Sequence, residues 1–173
     1  MEPSFTYPTI LGKAERYARF LEDFRLFMDG ETDLIAALSN TAAALREAFG
    51  FFWVGFYLVK DEQWLTLGPF QGTVACTRIR RGRGVCGTAW VEGRTLIVPD
   101  VDVFPGHIAC SSLSRSEIVV PLKHPTNGHI LGILDIDSNH LNAFDATDLQ
   151  GLEAIVASLL HCIFEDSNKS ATT

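Results

Sequence analysis

The apolar residues of this 173-residue chain change their spacing twice, and that change narrows the fold class before any motif is considered. Tyr17, Phe20, Leu21, Phe24, Phe27 and Met28 recur at the three-and-four spacing of one helical face that ends near Gly30. A second helix fits Leu34, Ala37, Leu38, Ala42 and Leu45, with Thr32 or Asp33 to start it and Gly50 to stop it. The middle of the chain then turns aromatic and β-branched. Strands are expected at Phe51 to Val59, Gln63 to Leu67, Arg94 to Val98, Glu117 to Leu122 and Ile130 to Ile136, the last two joined by a turn containing Asn127-Gly128. A short helix fits Gly87 to Glu92, closed by Gly93, and a final helix runs from near Asp145 to about Glu165. Helices, then strands with long connections, then a closing helix predict an α+β domain, a mostly antiparallel sheet covered by helices.

A length of 173 residues and 47% hydrophobic content fit one domain, over residues 1–166, followed by a polar tail at 167–173 expected to fray. The net charge of −7 argues against nucleic acid or an anionic membrane as partner. The start lacks a basic segment followed by an apolar core, and the longest apolar run, Phe51 to Val59, is too short to span a bilayer. Four cysteines in such a chain point to a reducing compartment, the cytosol by default, where thiols are metal-binding, catalytic or redox-active.

Three of those cysteines, Cys76, Cys86 and Cys110, fall in Gly- and Pro-rich stretches read as loops, where side chains are free to do chemistry. Cys162 lies at helical spacing among Leu152, Ile155, Val156, Leu159 and Ile163 and reads as packing. A zinc site, with His107 completing a set around Cys110, lacks the close cysteine pair such sites use, since nine residues separate Cys76 from Cys86. Redox chemistry fits better. Arg83 and its neighbours, or the start of the short helix at Cys86-Gly87, would lower a thiol pKa, so partial thiolate is expected at Cys76 or Cys86. Incidental loop cysteines are the competing reading.

Asp135 and Asp137 alternate along one strand and therefore share a face, while Glu117 opens another apolar strand. Like charges so placed repel unless a cation or a shared proton relieves them. The group therefore points to a site for an ammonium ion or for a carboxyl that donates a proton. The alternative is a pair of solvated residues on an edge strand.

The runs Trp53-Val54-Gly55-Phe56-Tyr57, Leu67 to Gly72 leading to Ala75-Cys76, Gly82-Arg83-Gly84-Val85-Cys86-Gly87, Phe104 to Cys110, Ser114 to Pro121 and Gly132 to Ser138 resemble the free methionine-(R)-sulfoxide reductases, a family built on a GAF domain. The resemblance extends from the first helix to the last. It implies a GAF-like fold and reduction of the R epimer of free methionine sulfoxide, with no metal or organic cofactor. Cys110 would attack sulfur and become a sulfenic acid, Cys76 would resolve it as a disulfide, and Cys86 would match the third cysteine that assists resolution or exchange. A thioredoxin-like reductant would restore the thiols. Glu117, Asp135 and Asp137 resemble the family's acidic cluster, one donating a proton to the leaving oxygen and another holding the substrate ammonium. Trp53 and Tyr57, on one strand face, would wall the pocket, with core packing as the alternative. The chain departs from the family pattern at Asp102, where histidine is common, and at Ser111, where aspartate is common. The Lys123 to Gly128 turn is slightly longer than usual. A homodimer is consistent with the resemblance and the apolar first helix. A non-catalytic ligand-binding GAF module and a thiol redox sensor are the competing classes.

Overall fold

A computed structural model describes residues 4–108 and 110–170, the last six of these by backbone alone. Residues 171–173 of the expected fraying tail, and residues 1–3 of the N-terminal segment, lie outside the described residues. Helix α1 spans Lys13–Phe27 and buries Tyr17, Phe20 and Phe24. Helix α2 spans Leu34–Phe49, where Asp33 accepts a hydrogen bond from the Ala36 amide at the start and Gly50 closes the end, as the cap residues predict. Strands β1 (Trp53–Val59), β2 (Trp64–Gln71) and β3 (Arg78–Arg80) follow, then helix α3 (Gly84–Glu92), strand β4 (Leu96–Val98) and a short 3-10 turn at Val101–Val103. Strands β5 (Ser116–Lys123) and β6 (Ile130–Ser138) precede the long helix α4 (Ala146–Ser170).

The six strands form one sheet in the order β3-β2-β1-β6-β5-β4, with every neighbouring pair antiparallel. Side chains alternate across it. Val54, Phe56, Ile118, Val120, Leu134 and Ile136 face α1, α2 and α4 and build the larger core with Phe20, Phe24, Leu38, Leu45, Leu152 and Leu159. Trp53, Tyr57, Val119 and Ile133 face the other way, where α3 brings Val85, Cys86, Ala89 and Trp90 against them. The domain is thus an α+β sandwich with unequal layers: three helices on one face, one short helix and two long connections on the other.

Several boundaries differ from the sequence expectations. β2 continues past Leu67 through Gly68-Pro69 to Gln71, because an irregularity in its pairing with β1 between Gly55 and Tyr57 absorbs the proline. β3 was not expected. α3 begins at Gly84 rather than Gly87, and α4 reaches Ser170. The stretch Ala146–Phe164 of α4 is long and apolar enough to cross a bilayer by length and composition, unlike Phe51 to Val59. Its Leu152, Ile155 and Leu159 are wholly buried in the domain core, which accounts for that hydropathy.

Candidate functional site

The β6 strand is central rather than at an edge, flanked by β1 and β5, so its two aspartates are not solvated edge residues. Asp137 stands opposite Trp53 on one side and Glu117 on the other, and Asp135 stands opposite Gly55 and Val119. Register therefore gathers Glu117, Asp135 and Asp137 on the α3 face of the sheet. Trp53, Tyr57, Cys86, Cys110, Glu117, Asp135 and Asp137 all line one cavity. Ala75, Arg83, His107, Ile108 and Ser114 are among the other residues of its wall.

Cys76 is joined to this set by a bond. A disulfide links it to Cys110 across 34 residues, with Cα atoms 5.2 Å apart, inside the span such a bridge covers. The bridge removes both sulfurs from the zinc set weighed from the sequence. Cys110 belongs to a connection built of local turns, in which the His107 amide donates to the Phe104 carbonyl at 3.1 Å and the Cys110 amide to that of Ile108 at 2.9 Å. Its far end is tied to the sheet by the Arg115 amide donating to the Ser138 carbonyl at 2.7 Å.

The connection carrying Cys76 is held by the aromatic wall. Trp53 Nε1 donates to the Thr73 carbonyl at 2.9 Å, and the Tyr57 hydroxyl donates to the Cys76 carbonyl at 3.0 Å. The indole lies in a slot made by two glycines. A Cβ on Gly55 would come within 2.6 Å of Trp53 Cη2, and one on Gly72 within 2.5 Å of Cδ1, where Gly72 also has φ +137°. Both aromatics are buried, so they pack and line the cavity at once.

Cys86 lies in the first turn of α3, near the helix start expected at Cys86-Gly87, but it is only 5% exposed rather than open on a loop. A Cβ on Gly87 would fall 2.5 Å from the Arg80 carbonyl oxygen, so the helix starts hard against β3 and turns Cys86 inward. Its Sγ sits 3.4 Å from Glu117 Oε1. Burial, then the charges of Asp135 and Glu117, push this thiol well above its ordinary pKa, the opposite of the thiolate expected from the arginines. Arg83, the nearest of these in sequence, is exposed.

The carboxyls titrate upward for the same reasons. Burial, followed by the charges of Asp135 and Asp137, raises Glu117, and burial with the charge of Asp137 raises Asp135. Asp137 rises to about 6 through burial, opposed by a hydrogen bond from Ser114. The sequence reading missed this role of Ser114, since nothing in a Ser-Arg-Ser run shows which hydroxyl turns toward an acid. Asp135 Oδ1 is buried without a hydrogen-bond partner. Cys86, Glu117 and Asp135 also bring one ligand atom each to within 4.8 Å of one another, a grouping able to hold a metal ion. The arrangement offers a cysteine pair capable of two-electron chemistry beside carboxyls of raised pKa and an aromatic wall.

The chain matches the GAF domain model over residues 33–161. It is 58% identical over 147 residues to GAF domain-containing protein A of Dictyostelium discoideum, covering 85% of this chain and 92% of that protein. It is 49% identical over 150 residues to the free methionine-R-sulfoxide reductase of Escherichia coli, covering 86% and 89%. An X-ray structure of free methionine-R-sulfoxide reductase from Neisseria meningitidis in complex with its substrate superposes with a TM-score of 0.87 at 51% identity, covering 95% of this chain and 98% of that one.

Proposed function

The chain belongs to the GAF domain family and, within it, to the free methionine-R-sulfoxide reductases, and on that premise we propose that it reduces the R epimer of free methionine sulfoxide to methionine. The observation that carries this reading is the pairing of a Cys76–Cys110 disulfide with three carboxyls of raised pKa, two of them buried, around one cavity. A sulfoxide needs two electrons and two protons to become a sulfide and water. Two thiols supply the electrons. A neutral carboxyl supplies a proton to an oxygen that otherwise leaves poorly.

In the proposed cycle the Cys110 thiolate attacks the sulfoxide sulfur while a protonated member of the Glu117, Asp135 and Asp137 group donates to the oxygen. Methionine departs with its sulfur reduced, and the oxygen passes to Cys110 as a sulfenic acid. Cys76 then attacks Cys110 Sγ, forming the disulfide and expelling water. An ionised partner in the acidic group binds the substrate ammonium, whose positive charge relieves the repulsion among the acids. Trp53 and Tyr57 wall the methyl and sulfur end. A thioredoxin-like dithiol reduces the disulfide, while Cys86, buried beside Glu117, serves as an auxiliary thiol in exchange. A reducing compartment such as the cytosol would supply that donor.

The enclosed acidic floor reads a free ammonium group, which a peptide-bound residue lacks. Incubation with a thiol reductant and each resolved epimer, free and within a peptide, tests the assignment. Methionine should form from the free R epimer. Comparable rates on the S epimer or on the peptide would overturn it, and no turnover on any of them would favour a redox sensor.

A further inference from the structure

The proposed cycle gives Cys86 little to do, yet its surroundings are specific. Its sulfur lies 3.4 Å from Glu117 Oε1, and a carboxylate oxygen of Asp135 completes a triangle with no side longer than 4.8 Å. In a tetrahedral zinc site, with a metal–sulfur bond near 2.3 Å and metal–oxygen bonds near 2.1 Å, the sulfur-to-oxygen edge is about 3.6 Å. The observed edge needs almost no adjustment. The three side chains are each no more than 6% exposed, and Asp135 Oδ1, in the same group, is buried without any hydrogen-bond partner. Among the described residues no ion pair reaches any of the three, and Arg83, the arginine lining the same cavity, is exposed. The nearest polar partners of the three groups are one another, since Asp135 shares side-chain hydrogen bonds with Cys86 and Glu117.

We infer that Cys86, Glu117 and Asp135 form a binding site for a thiophilic divalent cation of the zinc class, held by one thiolate sulfur and two carboxylate oxygens with a fourth position open to water. The sulfur favours zinc or cobalt over magnesium or calcium, which prefer oxygen alone. Binding requires the ligands in their deprotonated forms, so affinity rises with pH. An ion there fills the floor of the cavity, so it and any cationic ligand of that cavity exclude one another, making the metal a reversible blocker. The site does not require the reductase reading to be correct.

The test uses the full chain in its disulfide form, which withdraws Cys76 and Cys110 as ligands, titrated with Co²⁺ and then with Zn²⁺ in a weakly chelating buffer. One equivalent of Co²⁺ should produce a thiolate-to-cobalt charge-transfer absorption with a four-coordinate visible spectrum, and Zn²⁺ should displace it. Cys86→Ser should abolish the charge-transfer absorption. Asp135→Asn should keep that absorption but weaken binding by more than about tenfold, a loss already seen when only an outer partner of a ligand is removed. Cys162→Ser should change neither. Absence of the thiolate absorption in the unaltered protein, its survival in Cys86→Ser, or full affinity in Asp135→Asn would each overturn the assignment, the first without depending on any variant's folding.

Discussion

Removing one oxygen atom from Tyr57 should separate the two halves of the proposed cycle. The hydroxyl donates to the Cys76 carbonyl at 3.0 Å, and burial together with the charge of Asp135 raises its pKa so far that it stays a donor across the working pH range. Tyr57→Phe deletes that bond and keeps the ring. A neutral hydrogen bond in a part-buried setting contributes about 1 kcal/mol net. Because the bond between Trp53 and Thr73 still anchors the same connection, the loss is confined to this one contact. The population of Cys76 poised beside Cys110 should therefore fall about fivefold, at about 1.4 kcal/mol per factor of ten. In a single turnover with one equivalent of free methionine (R)-sulfoxide and no reductant, methionine release and disulfide formation are followed separately by quenching and alkylation. Disulfide formation should slow about fivefold, and a sulfenic-acid trap should capture more Cys110. Methionine release should slow much less, since the wall remains. Equal slowing of both steps, or disulfide formation at the original rate, would refute the tether.

Cys110→Ser should abolish turnover, whereas Cys162→Ser should lower only the unfolding midpoint, since Cys162 is buried in the helix-side core; steady-state assays with denaturant titrations check both. Asp137 titrates at about 6 when folded against 3.8 for the free group, so the folded state binds the extra proton and stability falls as pH rises through that interval. Ionising Asp137 then costs up to about 3 kcal/mol, so Asp137→Asn should stabilise the substrate-free protein by up to that amount at pH 7 and by little near pH 4. Equal stabilisation at both pH values in urea titrations would show that its charge is not the cause. Gly72→Ala puts a Cβ 2.5 Å from the Trp53 ring at φ +137° and should cost about 1–3 kcal/mol, with slower disulfide formation as the connection shifts. An unchanged denaturant midpoint would dismiss the slot.

Legibility followed the reach of each physical signal. The caps Asp33 and Gly50 and the alternation of Asp135 with Asp137 are local, and the structure places those helix ends and that shared face accordingly. Strand β3 escaped because Arg78-Ile79-Arg80 offers a single apolar residue, Ile79, too short a pattern to register. The burial of Cys86 escaped because Gly82, Gly84 and Gly87 read as loop punctuation. Gly87 is small because the first turn of α3 touches the Arg80 carbonyl, a contact no local pattern encodes. The direction of the Cys86 pKa was lost for the same reason: exposed arginines nearby in sequence count for less than buried carboxyls brought in from β5 and β6. The partnership of Ser114 with Asp137 likewise depends on how two distant segments meet.

The alternation of side chains across β1, β5 and β6 gives the domain a two-sided mutational grammar. Odd positions such as Trp53, Tyr57, Glu117, Asp135 and Asp137 spell the pocket, while even ones such as Val54, Phe56, Ile118, Leu134 and Ile136 spell the helix-facing core. Exchanging the odd acidic letters rewrites chemistry and leaves the helix-side core intact, whereas Trp53, Tyr57, Val119 and Ile133 on the same face are themselves buried against α3. Deleting a single residue from the middle of β6 is a different kind of lesion. It would carry the aspartates toward the greasy interior and the isoleucines toward the ligand, because a one-residue slip sends every following side chain to the opposite face. Lineages descending from such a chain should therefore confine gained and lost residues to the ends of these strands, as at the Lys123 to Gly128 turn.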